Sequence, residues 1–458
     1  MTEVESLASF AVNSRYEELS SEAVEALKVR ILDALGCALG ALGAPPVRDL
    51  RGYLEDVGGA PAVTLIGGGR TSADRAALYN GALVRYLDYN DSYLAKGETC
   101  HPSDNLAPVL AAVELADGGG RDLLTALAVA YQVQCRLSDE APVRARGFDH
   151  TTQGSYAVAA GVSRALELDT DRAANAIAIA GTAFNALRVT RTGRLSNWKG
   201  LAYPNTAFCA THAVLLARRG ITGPREVFEG NKGFKEAIAG GFSIDWMAED
   251  LERVCRTIVK EFNAEVHSQS TLEGVLALKE EHGFAASDVE AVELEVFDVA
   301  FNIIGGGEEG SKREVERKEE ADHSLLYMVA VALLDGWVGP DQYRPERIVA
   351  DDVQALLRRV RVAPAEDLSR RFPDEMPVRI TIRLRDGRVL QREQADYEGF
   401  LTRPMPYRGA VDKFRRLAGP AGGAALADDI AGLVAALEDH PVSDLTGLLE
   451  RAGKENRP

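Results

Sequence analysis

The sequence predicts a multi-domain protein with a large all-α helical domain and a smaller α+β domain that contains an antiparallel sheet. The chain has 458 residues, which exceeds the usual size of a single domain. Ala-rich segments of helical period fill the chain to about residue 255, and alternating, strand-like segments appear only after it. These changes predict a helical domain at 1–257, an α+β domain at 258–400 and C-terminal helices at 401–458 that return to the helical domain.

Helical periodicity is clearest in residues 21–43. Apolar residues recur there at helical spacing from Val24 to Leu39, and Ser20 or Ser21 can cap the helix. Similar Ala-rich patterns predict further helices at 72–89, 105–117, 122–138, 151–167, 171–186 and 204–219. Because small side chains let helices approach closely, these segments predict a compact all-helical domain.

Alternating apolar and polar residues predict strands in the second part of the chain. Residues 377–394 form the clearest hairpin, because the turn dipeptide Asp386-Gly387 interrupts the alternation there. Further strands are predicted at 289–298 and 358–363, helices at 321–336 and 351–358, and two C-terminal helices at 408–418 and 424–437. One tight hairpin among interspersed helices favours an antiparallel sheet.

Composition and charge disfavour several classes of partner. The net charge is −17, whereas nucleic acids and anionic membranes are bound by basic surfaces. No apolar run reaches the ~18–20 residues of a membrane span, and the N-terminus lacks the apolar centre of a signal peptide. The five cysteines are scattered without CxxC spacing, which is typical of a reducing compartment. We therefore expect a cytoplasmic protein that binds neither nucleic acid nor membrane.

A dense group of polar residues precedes the apolar helix predicted at 105–117. Three acids, a serine, a lysine and a histidine fall between Asp88 and His101, and a Pro-Ser-Asp-Asn turn follows. Polar groups packed this tightly beside a helix start predict the floor of an active site. The alternative is that Asp88 and Asp91 serve only to end one helix and form a turn.

Four further stretches carry chemically versatile side chains at the ends of apolar helices. They are GFDHTTQ (147–153), TRTGRLSNWKGLAYPN (190–205), KEFNAEVHSQ (260–269) and ADHSLLY (321–327). Their candidates are His150, Arg191, Arg194, Lys199, Lys260, Glu265, His267, His323 and Tyr327. Taken one at a time, such residues are often helix caps, surface cations or core side chains whose hydrogen bonds are satisfied. Their recurrence favours one shared site, with His323 and Tyr327 predicted four apart on one helical face.

Other chemistries find little support in the sequence. No GxGxxG follows a strand, GGGR at 67–70 lacks the GK[ST] of a phosphate loop, and no HExxH or GxSxG is present. Asp88 and Asp91 with His101 have no second histidine nearby in sequence, so a metal site is disfavoured.

Four of these motifs resemble the MmgE/PrpD family, which includes 2-methylcitrate dehydratase, cis-aconitate decarboxylase and iminodisuccinate epimerase. They are RYLDYNDSYLAKGETCHPSDNL, RLSNWKG, KEFNAEVHSQ and ADHSLLYMVAVALLDG. The resemblance extends from about residue 35 to about residue 404. The long insert between Ser92 and His101 is closer to the dehydratase branch. Residues 305–320 depart from the expected family pattern.

The resemblance implies an all-helical domain with an α+β lid domain, a homodimer, and neither a metal nor an organic cofactor. It also implies a di- or tricarboxylate substrate. The implied catalytic residues are Asp88, His101, His150 and Lys199. The implied substrate-binding residues are Ser92, Arg191, Arg194, Lys260, Glu265, His267, His323 and Tyr327.

The function expected from this resemblance is the metal-free dehydration of 2-methylcitrate or a similar tricarboxylate, as in propionate catabolism by the 2-methylcitrate cycle. Removal of the proton α to a carboxylate needs a base, and departure of the hydroxyl needs an acid. His101 and His150 are the candidates for these steps, with Asp88 orienting one of them and Lys199 holding a carboxylate. Alternatives are a cis-aconitate decarboxylase-like or iminodisuccinate epimerase-like enzyme, or a non-catalytic helical dimer.

Overall fold

The chain divides into two compact units. The computed structural model describes residues 1–95, 97–193 and 195–453. The helical unit comprises Met1–Arg191, Gly200–Thr257 and Met405–Pro458, and the sheet unit comprises Thr192–Lys199 and Ile258–Pro404. The sheet unit thus includes Thr192–Lys199, which the sequence-based boundaries assign to the helical domain. The predicted fold class is confirmed, since the chain is mostly helical with one small sheet in its later part.

The first half of the chain consists of helices and two short hairpins. The helices are α1 (Glu3–Asn13), α2 (Ser21–Gly40), α3 (Pro45–Val57), α4 (Ala73–Tyr86), α5 (Leu106–Leu115), α6 (Gly120–Glu140), α7 (Thr151–Ala165), α8 (Thr170–Ala183) and α9 (Trp198–Arg218). The strands are β1 (Val63–Thr64), β2 (Arg70–Thr71), β3 (Tyr93–Ala95) and β4 (Glu98–Cys100). The pairs β1–β2 and β3–β4 are each antiparallel.

The sheet unit surrounds a four-stranded sheet. Its helices are α10 (Gln269–His282), α11 (Asp298–Ala300), α12 (Lys318–Ala321), α13 (Leu325–Asp335), α14 (Pro345–Ile348), α15 (Asp351–Leu357) and α16 (Glu366–Ser369). Its strands are β5 (Val289–Val296), β6 (Val360–Pro364), β7 (Val378–Leu384) and β8 (Val389–Gln394). The predicted β7–β8 hairpin is confirmed, and Gly387 in its turn has a φ of 90°.

The sheet is mixed rather than wholly antiparallel. Its strand order is β6-β5-β7-β8, and β6 runs parallel to β5. The prediction of an antiparallel sheet is therefore wrong for this pair. The chain between the two strands passes through several helices, and such a crossover returns it in the same direction.

The helix predicted at 321–336 is interrupted. It ends at Ala321 and starts again at Leu325, where the Ser324 side chain caps α13 by accepting from the backbone N–H of Tyr327 at 3.2 Å. The prediction that His323 and Tyr327 share one helical face is therefore wrong, because His323 lies in the turn before the cap. Gly336 ends α13 with a φ of 76°, as the sequence predicts.

The last helices belong to the helical unit. They are α17 (Tyr407–Ala435), which is broken at Gly423 with a φ of 73°, and α18 (Val442–Arg451). The break separates the two helices predicted at 408–418 and 424–437. Helix α17 packs against α2, where a Cβ added at Gly36 would lie 3.2 Å from the Phe414 side chain. The sequence also predicts that the last eight residues are frayed, and most of them lie outside the described residues.

Among the described residues, no helix combines the length and the apolar character that crossing a membrane requires.

Candidate active site

The helical unit contains a buried polar cluster that begins at the end of α4. Asp88 follows this helix with a φ of 55°, in the left-handed region that non-glycine residues rarely adopt. Its carboxylate accepts a hydrogen bond from Nη1 of Arg85 at 2.7 Å, and the same nitrogen donates to Asn90 Oδ1 at 3.2 Å. Asp88 is therefore neutralised by an arginine that the sequence analysis did not single out.

The β3–β4 hairpin brings Ser92 and His101 together. Tyr93 pairs with Cys100, so the residues that flank this pair lie side by side. His101 Nδ1 lies 2.7 Å from the Asp91 carbonyl oxygen and 3.2 Å from Ser92 Oγ. Because a carbonyl oxygen can only accept, Nδ1 carries the proton, and Nε2 is the basic nitrogen of the neutral ring.

Asp91 holds the loop that carries His101. Its Oδ1 accepts from the backbone N–H of Ser103 at 3.0 Å and from Ser103 Oγ at 2.7 Å, and its Oδ2 accepts from Tyr131 Oη at 2.8 Å. Burial raises the pKa of this carboxyl group, although these three donors favour the charged form. Asp91 therefore serves to fix the geometry of the loop.

His150 lies at the start of α7, next to the buried carboxylate of Asp149. Asp149 is fully buried and accepts from Arg191 Nε at 2.6 Å and Nη2 at 3.3 Å. His150 Nδ1 lies 3.3 Å from Asp149 Oδ1. His150 Nε2 is also buried and has no hydrogen-bond partner among the residues that the structure describes.

Burial and nearby arginines keep His150 neutral. Burial is the largest factor that lowers its pKa, to about 3; Asp149 opposes this effect, and Arg191 adds to it. Burial alone would raise the pKa of Asp149, but Arg191 and then His150 bring it well below its usual value. The rings of His101 and His150 meet edge to face with centroids 5.5 Å apart.

Arg85 also pairs with a second carboxylate, that of Asp104. Arg85 Nε and Asp104 Oδ2 are 3.7 Å apart, and Asn90 Nδ2 donates to the other Asp104 oxygen at 2.9 Å. Burial raises the pKa of Asp104 to about 7, although Arg85 acts in the opposite direction. Titration of this carboxyl near neutral pH would change the charge of the polar cluster.

Tyr203 forms another part of the cluster's lining. Its ring stacks on His150 with centroids 6.2 Å apart. Its hydroxyl lies 2.9 Å from Asn105 Oδ1 and 3.0 Å from Gln134 Oε1. The stacked ring and the hydroxyl contacts restrict the position that the His150 imidazole can take.

A buried lysine supports the turn that contains Asp88. Lys413 Nζ on α17 donates to the Tyr89 carbonyl oxygen at 2.9 Å and lies 3.6 Å from the centroid of the Tyr89 ring. It also pairs with Asp33 on α2 at 2.6 Å. One cation thus connects two helices to the residue that follows Asp88.

The sheet unit contains its own polar cluster around Asp322. The Asp322 carboxylate accepts from Lys199 at 3.0 Å and from Lys318 at 2.6 Å, and its Oδ1 lies 2.7 Å from His323 Nδ1. Lys199 Nζ also lies 2.9 Å from His323 Nδ1. Burial alone would raise the pKa of Asp322, but the lysines bring it well below its usual value.

Glu265 and His267 form a buried pair in the same unit. Glu265 Oε1 lies 2.7 Å from His267 Nδ1, and Oε2 accepts from the His267 backbone N–H at 2.8 Å. Burial alone would raise the pKa of Glu265, but His267, His323 and Lys260 bring it to about 2. Lys260 itself is 1% exposed. The four sequence-predicted residues Lys260, Glu265, His267 and His323 are thus electrostatically connected.

One predicted residue stands apart from these clusters. Tyr327 is buried in α13, and its hydroxyl donates to the Gln342 carbonyl oxygen. Such a hydrogen bond is typical of a tyrosine in a protein core. Arg194 lies outside the described residues. The assignments of all twelve candidates to one catalytic site stay predictions.

His323 also lines a cavity of about 330 Å³ in the sheet unit. Lys312 lines it as well, and burial lowers the pKa of this lysine. Four carboxylate side chains contribute to the same wall: Glu309, Glu314, Glu316 and Glu320. Because their charges repel a polycarboxylate, the cavity by itself does not identify an anion site.

The residues that the sequence analysis missed are mostly acids beside the predicted histidines. Asp149 directly precedes His150, and Asp322 directly precedes His323. The repeated Asp-His dipeptide was a usable signal, because a carboxylate commonly orients an adjacent imidazole. Arg85 offered no such signal, since it looks like an ordinary arginine in the last turn of a helix.

Comparison with known families identifies the group to which the chain belongs. The model of the MmgE/PrpD N-terminal domain matches residues 5–247, and that of the MmgE/PrpD C-terminal domain matches residues 262–439. The chain belongs to the MmgE/PrpD family. The resemblance seen in its motifs is therefore confirmed.

Relatives within the MmgE/PrpD family differ in their named activities. A 2-methylcitrate dehydratase from Cupriavidus necator is 29% identical over 416 residues, which cover 84% of this chain and 83% of the relative. A 2-methylcitrate dehydratase from Escherichia coli K12 is 28% identical, and the aligned part covers 86% of this chain and 85% of the relative. A cis-aconitate decarboxylase from Mus musculus is 25% identical, and the aligned part covers 90% of this chain and 86% of the relative. The family is shared, whereas the reaction differs among its members.

Proposed function

We propose that this protein is a hydro-lyase that dehydrates 2-methylcitrate or a closely similar tricarboxylate. The observation that carries the proposal is the pair His101 and His150, whose rings are 5.5 Å apart in a buried, polar part of the helical unit. Two imidazoles at this separation can contact neighbouring atoms of one small substrate. Relatives named 2-methylcitrate dehydratase supply the substrate class.

The reaction needs two proton transfers, and two histidines can supply them. A base takes the proton from the carbon α to a carboxylate, and the C–H electron pair becomes the new C=C bond as the C–O bond breaks. An acid gives a proton to the departing hydroxyl, which leaves as water. Imidazole suits both tasks because its usual pKa lies near neutrality.

The substrate's carboxylates also need cationic partners. The family resemblance makes Lys199 and Lys260 the candidates for this role, since ammonium groups donate to such anions. Both lysines are buried, and Lys199 is already paired with Asp322. This pairing holds the Lys199 ammonium group in place.

The proposal is tested by ultraviolet absorbance of the purified protein with 2-methylcitrate, citrate and cis-aconitate in separate reactions. A rise in absorbance from a hydroxy acid, with a product that carries the new C=C bond by mass spectrometry, supports dehydration. Each reaction is repeated with a chelator, because inhibition by the chelator would contradict the metal-free mechanism. Absence of turnover of both hydroxy acids would overturn the proposal.

Decarboxylation of cis-aconitate is the second candidate, because a cis-aconitate decarboxylase is among the relatives. Loss of CO₂ would form the carbanion, and a protonated histidine would give it a proton. A fall in cis-aconitate absorbance with release of CO₂ distinguishes this reaction. An iminodisuccinate epimerase, or a protein without catalysis, would leave all three compounds unchanged.

A further inference from the structure

We infer that Asp149, held by Arg191, is a positioning residue that keeps the Nδ1–H of His150 turned toward it and leaves Nε2 as the proton acceptor. This inference rests on the proposed function and adds a role for two residues within it. It also reassigns Arg191, for which the sequence predicted direct substrate binding.

The contacts of Arg191 are already directed at Asp149. Two nitrogens of its guanidinium meet the two carboxylate oxygens at 2.6 and 3.3 Å, and the Arg191 side chain is 9% exposed. A two-point contact of this kind fixes the carboxylate plane and keeps it ionised. Asp149 is further held by the backbone N–H of Thr151 at 3.2 Å. The Arg191 guanidinium therefore binds a carboxylate of the protein itself.

The carboxylate determines which nitrogen of His150 carries the proton. Nδ1 faces Asp149 Oδ1 at 3.3 Å, and an ionised carboxylate can only accept. The neutral ring is therefore protonated on Nδ1. Nε2, which is buried and has no partner among the described residues, keeps its lone pair. A buried acceptor without a donor is costly, and a substrate C–H proton delivered there would satisfy it.

The charges around His150 assign it the role of base rather than acid. Asp149 favours its protonated form, whereas Arg191, Arg85 and Arg188 oppose that form, and burial opposes it most. Its ring contacts are His101 and Tyr203. The resting ring is thus unprotonated on Nε2. The anionic charge of a bound tricarboxylate would then favour transfer of a proton to this nitrogen.

The first experiment is the Asp149→Asn variant. The introduced amide would turn its oxygen to Arg191 and its NH₂ to His150, so the imidazole would change to the Nε2–H tautomer. We expect kcat to fall by ~10²–10⁴-fold with KM changed only a few-fold. The matched control is Glu249→Gln, which removes the carboxylate of another arginine pair in the helical unit, with Arg136 Nε at 2.7 Å. The control should keep full turnover.

The second experiment separates positioning from substrate binding at Arg191. If Arg191 acts through Asp149, Arg191→Gln removes a cation that disfavours protonated His150, so the acidic limb of the pH profile of kcat/KM moves to higher pH. Arg191→Lys keeps a charge and should restore part of the profile. A rise in KM with an unshifted pH profile would instead show a substrate anchor and would overturn the inference.

A spectroscopic test needs no substrate. In the wild-type protein, ¹⁵N NMR of His150 should show the proton on Nδ1, and in Asp149→Asn on Nε2. A wild-type ring protonated on Nε2 would overturn the inference even if the variants fail to fold. If the wild type turns over none of the proposed substrates, the proposed function fails, while the tautomer measurement still decides the role of Asp149.

Discussion

The Nδ1 atom of His101 lies 2.7 Å from the carbonyl oxygen of Asp91, a residue only ten positions earlier in the chain. His150 is oriented differently, by the side chain of Asp149 at 3.3 Å. The Asp88 carboxylate accepts a hydrogen bond from Arg85, and its expected role in orienting one of these rings stays a prediction. One histidine is thus fixed by backbone and the other by a side chain, so substitutions should affect them differently.

Replacing either histidine by alanine should abolish most turnover. For His101→Ala and His150→Ala we expect kcat to fall by ~10²–10⁴-fold, because each removes a group proposed to transfer a proton. The measurement is steady-state absorbance with the best substrate found. His212→Ala is the control, since this histidine is about half exposed. Full turnover by either of the first two variants would refute its catalytic assignment.

His150 should remain neutral throughout the physiological range. Its pKa is lowered to about 3, below the ordinary value of 6.5. The unfolded state therefore binds a proton first as the pH falls below about 6.5, and folding stability decreases from there toward pH 3. In an NMR titration, His150 should not change its protonation between about pH 5 and 8. A midpoint inside that interval would contradict this account of its environment.

Glu265 should make the protein sensitive to acid in a defined interval. Its pKa is lowered to about 2 from 4.5, so its contribution to stability is present above pH 4.5 and is lost as the pH falls toward 2. That shift corresponds to roughly 3 kcal/mol. Urea unfolding of the wild type between these pH values should show a steeper loss than Glu265→Gln. Equal slopes would show that Glu265 is not held ionised by its neighbours.

Asp322→Asn should destabilise the sheet unit. The substitution leaves Lys199 and Lys318 without the carboxylate that both of them contact, and removal of one partner from a buried ion pair costs about 3–5 kcal/mol. Asp341→Asn is the matched control, since its pair with Arg344 is exposed and should change stability by less than ~0.5 kcal/mol. Chemical denaturation measures both. A similar small effect in the two variants would be inconsistent with the observed burial.

Gly154→Ala should disturb the candidate active site through Tyr203. A Cβ at this position would lie 2.5 Å from the ring that stacks on His150. Because the Tyr203 hydroxyl is held by hydrogen bonds, we expect a loss of about 1–3 kcal/mol in stability and reduced turnover. Gly432→Ala is the control: it is helical, nothing lies within 4 Å, and alanine should stabilise it by ~0.5–1 kcal/mol. Thermal unfolding and kinetic assays distinguish the two variants.

Local patterns predicted the parts of the fold that depend on local forces. Ser20 caps α2 as expected, and Asp386-Gly387 marks the turn of the β7–β8 hairpin. The parallel pairing of β5 with β6 was missed, because partner choice depends on the crossover between them and not on either strand's alternation. The interruption before α13 was missed because Ser324, in an otherwise helical pattern, acts as a cap.

The candidate site was predictable where its residues are close in sequence. Ser92 and His101 flank the two strands of one hairpin, and the pairing of β3 with β4 is enough to bring them together. The pairing of Arg191 with Asp149 joins positions 42 residues apart and has no local signature. Sequence alone therefore identified the imidazoles but not the groups that set their charge.

The contact between Lys413 and Tyr89 affects when the helical unit can be completed during synthesis. The two residues are separated by 324 positions. At a translation rate of roughly 5–20 residues per second, Tyr89 leaves the ribosome roughly 16–65 s before its lysine partner is made. During that interval the turn beside Asp88 has neither this ammonium group nor the packing of α17. The helical unit is therefore expected to reach its final form only after the whole sheet unit has been synthesised.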